Sequence, residues 1–438
     1  MLARWLTCMV IGCVTGVVAF LIDVFGAKLF SSKIAAAVAG GNYYAVNQSL
    51  NQTDVLQVPP EPATLAGALG VFAAVSMLYV GVAAVCTIYI EPISGGSGIP
   101  DVKTYLQGVK VPRLLRFTTL VCKSVGVMFS VAAGLMVGKE GPMIHCGAVI
   151  AAGVSQGSSK SCGLRTMWLK RFRNDHDKRD FVSAGAAAGV AAAFGAPIGG
   201  CLFAIEEAAL YWSQNLTWRT FFCAMCSTLT LNVLLSAVAS GGSSFGRLSH
   251  PGLITFGAFI DASDQVYDLR ELPVFAGIGV VCGLLGALFN ALNERLTKWR
   301  ARRLTTKARR FGEALFMAAL TAMLCFAIPF ALPCVDTPPA PPAPPAAEAR
   351  PWQYEPNGLQ QMMNTLVCRR VPSGGGGGEG GGEVSAASSR YGADIKGAGR
   401  VSDAVNLLLV SHDEAIKTLF HRTASGTQED DRPLPGLS

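Results

Sequence analysis

The chain has 438 residues, 51% hydrophobic and only 15% charged, with a formal net charge of +7. Soluble domains carry roughly 25% charged residues, so this composition excludes one large soluble enzyme, and so much apolar mass excludes a disordered solvating chain. The positive charge is clustered in loops, which reads as membrane topology and not as nucleic-acid binding.

The apolar runs, taken in order, lay out a polytopic membrane protein. A length of this kind accommodates roughly eight to ten helices of about 20 residues. Residues 5–25 are apolar over full membrane length, longer than a signal-peptide core, and predict a spanning helix. A polar loop is expected over 31–61; its sequons at Asn47 and Asn51 point to a lumenal face. A second span is predicted over 65–90, then a Gly-rich turn at 94–100 and a short helix to 108. A third apolar run, 114–137, ends at Gly138-Lys139-Glu140-Gly141-Pro142, and a new helix runs on to 153. A charged loop, 165–180, leads into the apolar stretch 182–212, which is interrupted by Gly195, Pro197, Gly199 and Gly200. Further spans are predicted over 221–238, 273–292 and 311–332.

The stretch 295–310 has eight basic residues and no acid, which places it on the cytoplasmic side. Its first role is orientation, and contact with anionic membrane lipid is the second reading. Beyond 332 the chain turns Pro-rich at 338–345 and Gly-rich at 374–382, compositions of linkers. The expected organisation is therefore a first transmembrane repeat over 1–240, a polar loop over 241–272, two further membrane helices over 273–333, and a largely disordered tail over 334–438.

Most of the 13 cysteines sit in apolar segments, where a free thiol behaves as a small hydrophobe. Cys223 and Cys226 form a CxxC without a second pair or a partnering His, so no metal or redox site is expected. Two nucleotide-binding resemblances fail on spacing. Gly134 to Glu140 has three residues between its glycines and Glu in place of Ser/Thr. Gly96 to Asp101 ends in Asp where a dinucleotide fingerprint has Gly.

The informative segments are the three Gly/Pro breaks at membrane depth: Gly95 to Pro100, Gly138 to Pro142, and Gly195 to Gly200. Irregular backbone survives there only when buried in protein or lining a cavity. In the first two breaks, Pro100 and Pro142 suit a first helical turn, where a missing N–H costs nothing. Helix N-termini present free N–H groups and a positive dipole end. Two such ends aimed at one point hold an anion without a full cation, the arrangement of transporters with broken helices. Ser97 adds a hydroxyl donor, against the plainer reading of a helix cap. Glu140 is an acid within the membrane, at a cost on the order of 2.5–3.5 kcal/mol, and is functional by default. Such a carboxylate occupies the anion site when ionised and leaves it when protonated. Lys139 reads first as a structural ion-pair partner. Glu206 and Glu207 read either as a helix-end pair or as one packing residue beside one proton-transfer carboxylate. No nucleophile–base pair or metal set appears, so no enzyme and no cofactor are expected.

GSGIP at Gly96 to Pro100, GKEGP at Gly138 to Pro142 and AAFGAPIGGCLFAIEE at Ala192 to Glu207 resemble the signature set of the CLC chloride channel and transporter family, in its order and spacing. The wider runs around them are similar to its intracellular, endolysosomal and vacuolar branch. The resemblance implies an all-α membrane fold with re-entrant helices in inverted repeats, the first complete and the second only begun. It implies that Ser97, Gly98, Ile99 and Gly141 bind the anion, that Glu140 is the gating glutamate and that Glu207 passes protons. Gly96, Pro100, Gly138, Lys139, Pro142, Gly195 and Pro197 support the motifs. It further implies a homodimer in an endolysosomal or vacuolar membrane that carries chloride and protons. The family's later GxFxP motif, its coordinating Tyr and its paired CBS domains have no counterpart here, so a truncated chain is expected. Chloride/proton exchange is the first expectation, since channels of the family usually lack the acid at Glu207. A passive chloride channel and a non-transporting fragment that associates with a full-length relative are the alternatives.

Overall fold

Apolar, Gly- and Ala-rich runs bounded by Pro, Gly and charge become helices throughout. The structure is a computed structural model; it describes residues 2–40, 62–157, 172–208, 213–239, 272–331, 335–336, 400–401 and 408–409. In chain order the helices are α1 (Leu2–Gly40), α2 (Pro62–Val85), α3 (Ile99–Leu106), α4 (Phe117–Ala132), α5 (Glu140–Gln156), α6 (Asp175–Phe194), α7 (Pro197–Phe203), α8 (Gln214–Ala239), α9 (Leu272–Arg303) and α10 (Lys307–Ala331). Wide turns at Cys86–Ile90 and Ala204–Ala208 close α2 and α7. Val335–Asp336 (β1) pairs antiparallel with Arg400–Val401 (β2), a two-residue ladder beside an otherwise helical fold. Among the described residues, five helices are long and apolar enough to cross a membrane: Leu2–Gly40, Ala66–Ile90, Gln214–Val238, Leu272–Arg303 and Lys307–Pro329.

The core is built on α5 and α6. Gly147 of α5 and Gly185 of α6 lie against each other's backbone, and a β-carbon on either would collide with the facing carbonyl. Missing side chains let the two helices approach closely, the small-residue packing of membrane bundles. Val102 and Leu106 of α3 pack on Ile144, Ala148 and Ala152 of α5 and on Val182, Ala186 and Val190 of α6. Ala19 and Ile22 of α1, Met143 of α5, Ala192 and Ala193 of α6 and Leu231 of α8 form a neighbouring cluster. These two clusters fix the ends of α3 and α5 relative to one another.

Three boundaries differ from the sequence reading. Residues 31–40 are helix and not polar loop, because Ile34, Ala37 and Val38 bury against Ala68 and Phe72 of α2 and against Ala322, Cys325 and Phe326 of α10. Lys33 is pulled in with them. Its side chain is fully buried, and the Phe30 and Phe72 rings lie 4.9 and 4.2 Å from its Nζ, so cation–π contact replaces hydration. The charged segment before 182 is helical from Asp175, with Asp175 and Asp177 in the first turn of α6, where acids suit the dipole. The basic stretch 295–310 is mostly helix: α9 runs to Arg303 with Arg300, Arg302 and Arg303 in its last turn, leaving only 304–306 as connection. The sequons at Asn47 and Asn51, the loop 241–271 and almost all of the tail lie outside the described residues.

Candidate functional site

The turn before α3 is built for close approach. Gly96 and Gly98 take φ of +72° and +84°, a region open to glycine and costly for other residues. Ser97 lies between them and ahead of the helix. Its hydroxyl accepts the Ile99 backbone N–H at 3.2 Å, so the capping role is present. The hydroxyl proton remains free to donate outward. Pro100 occupies the first turn of α3, and Val102 N–H donates to Gly98 carbonyl at 3.0 Å to start the ladder.

The second tip is the start of α5, with Glu140, Gly141 and Pro142 as its first residues. A β-carbon on Gly141 would sit 2.8 Å from Ser97 Oγ. The two broken-helix tips therefore meet, as the sequence predicted, and glycine at 141 is what lets them. Glu140 is half-buried, and its carboxylate folds back against Gly138, over the N-terminus of its own helix. Ser97, Ile99, Gly138, Glu140, Gly141 and Pro142 all line one cavity of about 980 Å³. Two half-charges of helix dipole at about 5 Å, in an effective dielectric of about 20, offer an anion on the order of 3 kcal/mol. That is weak enough to release it again.

The supports of this site include residues that sequence reasoning passed over. Lys123, in the middle of α4 and 2% exposed, donates from Nζ to the Gly96 carbonyl at 2.9 Å. It locks the Gly-rich turn. A lone lysine in an apolar span is the same kind of signal that singled out Glu140, and it was available to find Lys123. His145 of α5 is fully buried, with Nε2 3.1 Å from the Leu114 carbonyl and its ring against Gly98. Lys139 pairs with Asp23 of α1 at 2.8 Å, the structural role expected of it.

Glu207 is not part of this group. It is absent from the cavity lining and sits in the wide turn after α7, where Oε2 accepts from Lys103 Nζ at 2.6 Å, both side chains about half exposed. Lys103 is on α3, four residues past Ile99 and thus about 6 Å along the axis. One short helix carries the Ser97 turn at one end and the Lys103–Glu207 pair on its flank. Gly195 closes α6 with φ of +67°, and Pro197 opens α7. This third break also lies away from the cavity lining; it leads into the turn that holds Glu207 and not into the Ser97 turn. On the far side the cavity meets α9 and α10, where Arg300 and Glu313 form a pair at 2.6 Å.

The family described as voltage gated chloride channel matches residues 79–425. The chain is 46% identical to H(+)/Cl(-) exchange transporter 7 of Mus musculus over 325 residues, 74% of this chain and 38% of that protein. It is 37% identical to chloride channel protein C of Dictyostelium discoideum over 334 residues, 76% of this chain and 40% of that one. The chain thus spans well under half the length of these relatives. Among solved structures, a slow cyanobacterial Cl-/H+ antiporter superposes with a TM-score of 0.53 at 23% identity, covering 72% of this chain and 63% of that chain. A eukaryotic CLC transporter superposes with a TM-score of 0.54 at 20% identity, covering 76% and 52%. At these identities the structural matches establish the fold.

Proposed function

The chain belongs to the voltage-gated chloride channel family, and from that premise we propose that it carries the anion-site half of a chloride/proton exchanger of an intracellular membrane. The observation that supports this reading best is the meeting of the Ser97 turn with Gly141 at the start of α5, beside the Glu140 carboxylate. Chloride rests between the two helix tips, held by the Ser97 hydroxyl and the N–H groups at Gly98, Ile99 and Gly141. Glu140, ionised, competes with the anion for the same N-terminal field. Protonated, it gives up that attraction and swings aside. The anion and the ionised carboxylate thus exclude one another at a single place, which ties the proton on Glu140 to the movement of the anion. Glu207 is the second proton carrier, reached from the Lys103 side of α3. With the basic end of α9 on the cytoplasmic side, a homodimer in an endolysosomal or vacuolar membrane is the assembly we infer. Residues 1–240 act as the first repeat and 273–333 as the beginning of the second.

The test is paired ion flux from liposomes holding the protein, with chloride and protons followed together. Opposed proton movement driven by a chloride gradient is expected. Chloride movement without any proton movement, and a reversal potential indifferent to the proton gradient, would point to a passive channel and overturn exchange. Replacing Glu140 by Gln is expected to abolish the proton component while anion binding persists; proton coupling unchanged in E140Q would remove the gating role.

A further inference from the structure

Next to the anion loop, one buried side chain has an atom left over. His145 lies in α5 and is 0% exposed. Its Nε2 faces the Leu114 carbonyl at 3.1 Å. A carbonyl only accepts, so in the neutral ring this nitrogen carries the proton. Nδ1 is then a bare lone pair, and it has no hydrogen-bond partner. It is aimed at the anion loop: a β-carbon on Gly98 would lie 2.6 Å from it. Buried polar atoms are nearly always paired, so an orphan lone pair against this loop calls for a cause. With the loop empty, a bare Nδ1 only forgoes a hydrogen bond. With a halide on the loop, the lone pair faces a negative charge and repels it. A proton on Nδ1 turns that repulsion into attraction.

We propose that His145 is a third proton-binding group of the transport site, taking up a proton at Nδ1 when the anion occupies the Ser97–Gly98 loop and releasing it when the anion leaves. The inference rests on the chloride reading of that loop and adds a proton site to it. The proton comes from bulk water and returns there; one N–H bond forms and breaks, and Nε2 keeps its own proton, donated to the Leu114 carbonyl, throughout. Burial disfavours the imidazolium most; Lys123 of α4 adds to that, the Leu114 carbonyl and Asp101 of α3 oppose it, and Cys146, adjacent on α5, is engaged with Ser124 at 3.6 Å. The arriving anion supplies the negative charge that a buried imidazolium needs.

Chloride binding is measured by calorimetry on the full chain carrying E140Q and E207Q, which silences the other two carboxylates. Between about pH 4 and about pH 7 the affinity is expected to fall about threefold or more, because burial holds the free imidazole well below its ordinary range and the bound anion raises it. Adding His145→Gln keeps a donor for the Leu114 carbonyl but cannot titrate, and is expected to flatten that slope. An equal slope with and without the histidine overturns the proposal, as does an affinity indifferent to pH in both proteins; either result leaves the anion site standing. Absence of chloride binding at every pH removes the anion site and this inference together. Should H145Q fail to fold, nitrogen NMR of the chain with its histidine intact decides. Saturating chloride is expected to move one imidazole Nδ1 from the bare to the protonated position, and histidine signals unmoved by chloride overturn the proposal.

Discussion

At the scale of residues, the site depends on groups that are small where bulk is forbidden and polar where lipid would normally exclude them. Gly98 is held by two independent constraints, a φ of +84° and the His145 ring against its α-carbon. Gly98→Ala is expected to destabilise the protein by about 2–4 kcal/mol, from left-handed strain and overpacking together, seen as a lowered melting temperature in detergent. On the proposed chloride reading, Ser97→Ala removes one donor to the anion and is expected to weaken chloride binding by about 1 kcal/mol, roughly fivefold, in a calorimetric titration. Ser97, Glu140 and Gly141 were legible in the sequence because broken helices and a membrane acid are rare and expensive. The roles of Lys123 and His145 were hidden for the opposite reason, although a lone lysine in an apolar span marks Lys123 itself. Their roles come from what they touch across the bundle, a carbonyl at Gly96 and a carbonyl at Leu114, and no local pattern announces such contacts.

At the scale of elements, helix identity followed from composition while helix ends did not. The polar loop expected from residue 31 is helix to Gly40 because tertiary burial of Ile34, Ala37 and Val38 outweighs the polar residues between them. The basic segment at the end of α9 stays helical because its charges suit the C-terminal dipole. The α5–α6 contact was invisible as a pair, since a small residue in each helix acquires meaning only when the other is opposite. Gly147→Ala is expected to wedge these helices apart and cost about 1–3 kcal/mol in thermal unfolding; unchanged stability would show that the approach is looser than the backbone contact implies. Lys103→Ala releases Glu207 without touching the anion loop. Proton flux is expected to change while calorimetric chloride affinity stays within about twofold, since the lost pair is exposed and screened.

At the scale of the molecule, burial is uneven. Residues of α5 and α6 form the interior, while α9 has no buried residue along its 32 positions. Thiol chemistry reads this contrast directly. Cys282 of α9 is exposed, whereas Cys146 and Cys223 are buried. A small maleimide applied to the detergent-solubilised chain is expected to label Cys282 in advance of those two, which react only after denaturation, as peptide mass mapping would show. Equal rates would mean that α9 is covered in solution. The placement of Ser97 and Lys103 about α3 has a mechanical corollary. Eight residues are too few to bend, so α3 works as a rigid lever: any tilt that retracts its tip from a departing ion also tugs on the salt link along its side. In the proposed exchange, communication between the Ser97 turn and Glu207 then needs no relay of intervening groups. Inserting a single alanine after Val102 would rotate the downstream half of the lever by about 100°, uncoupling the two ends while leaving each chemically whole.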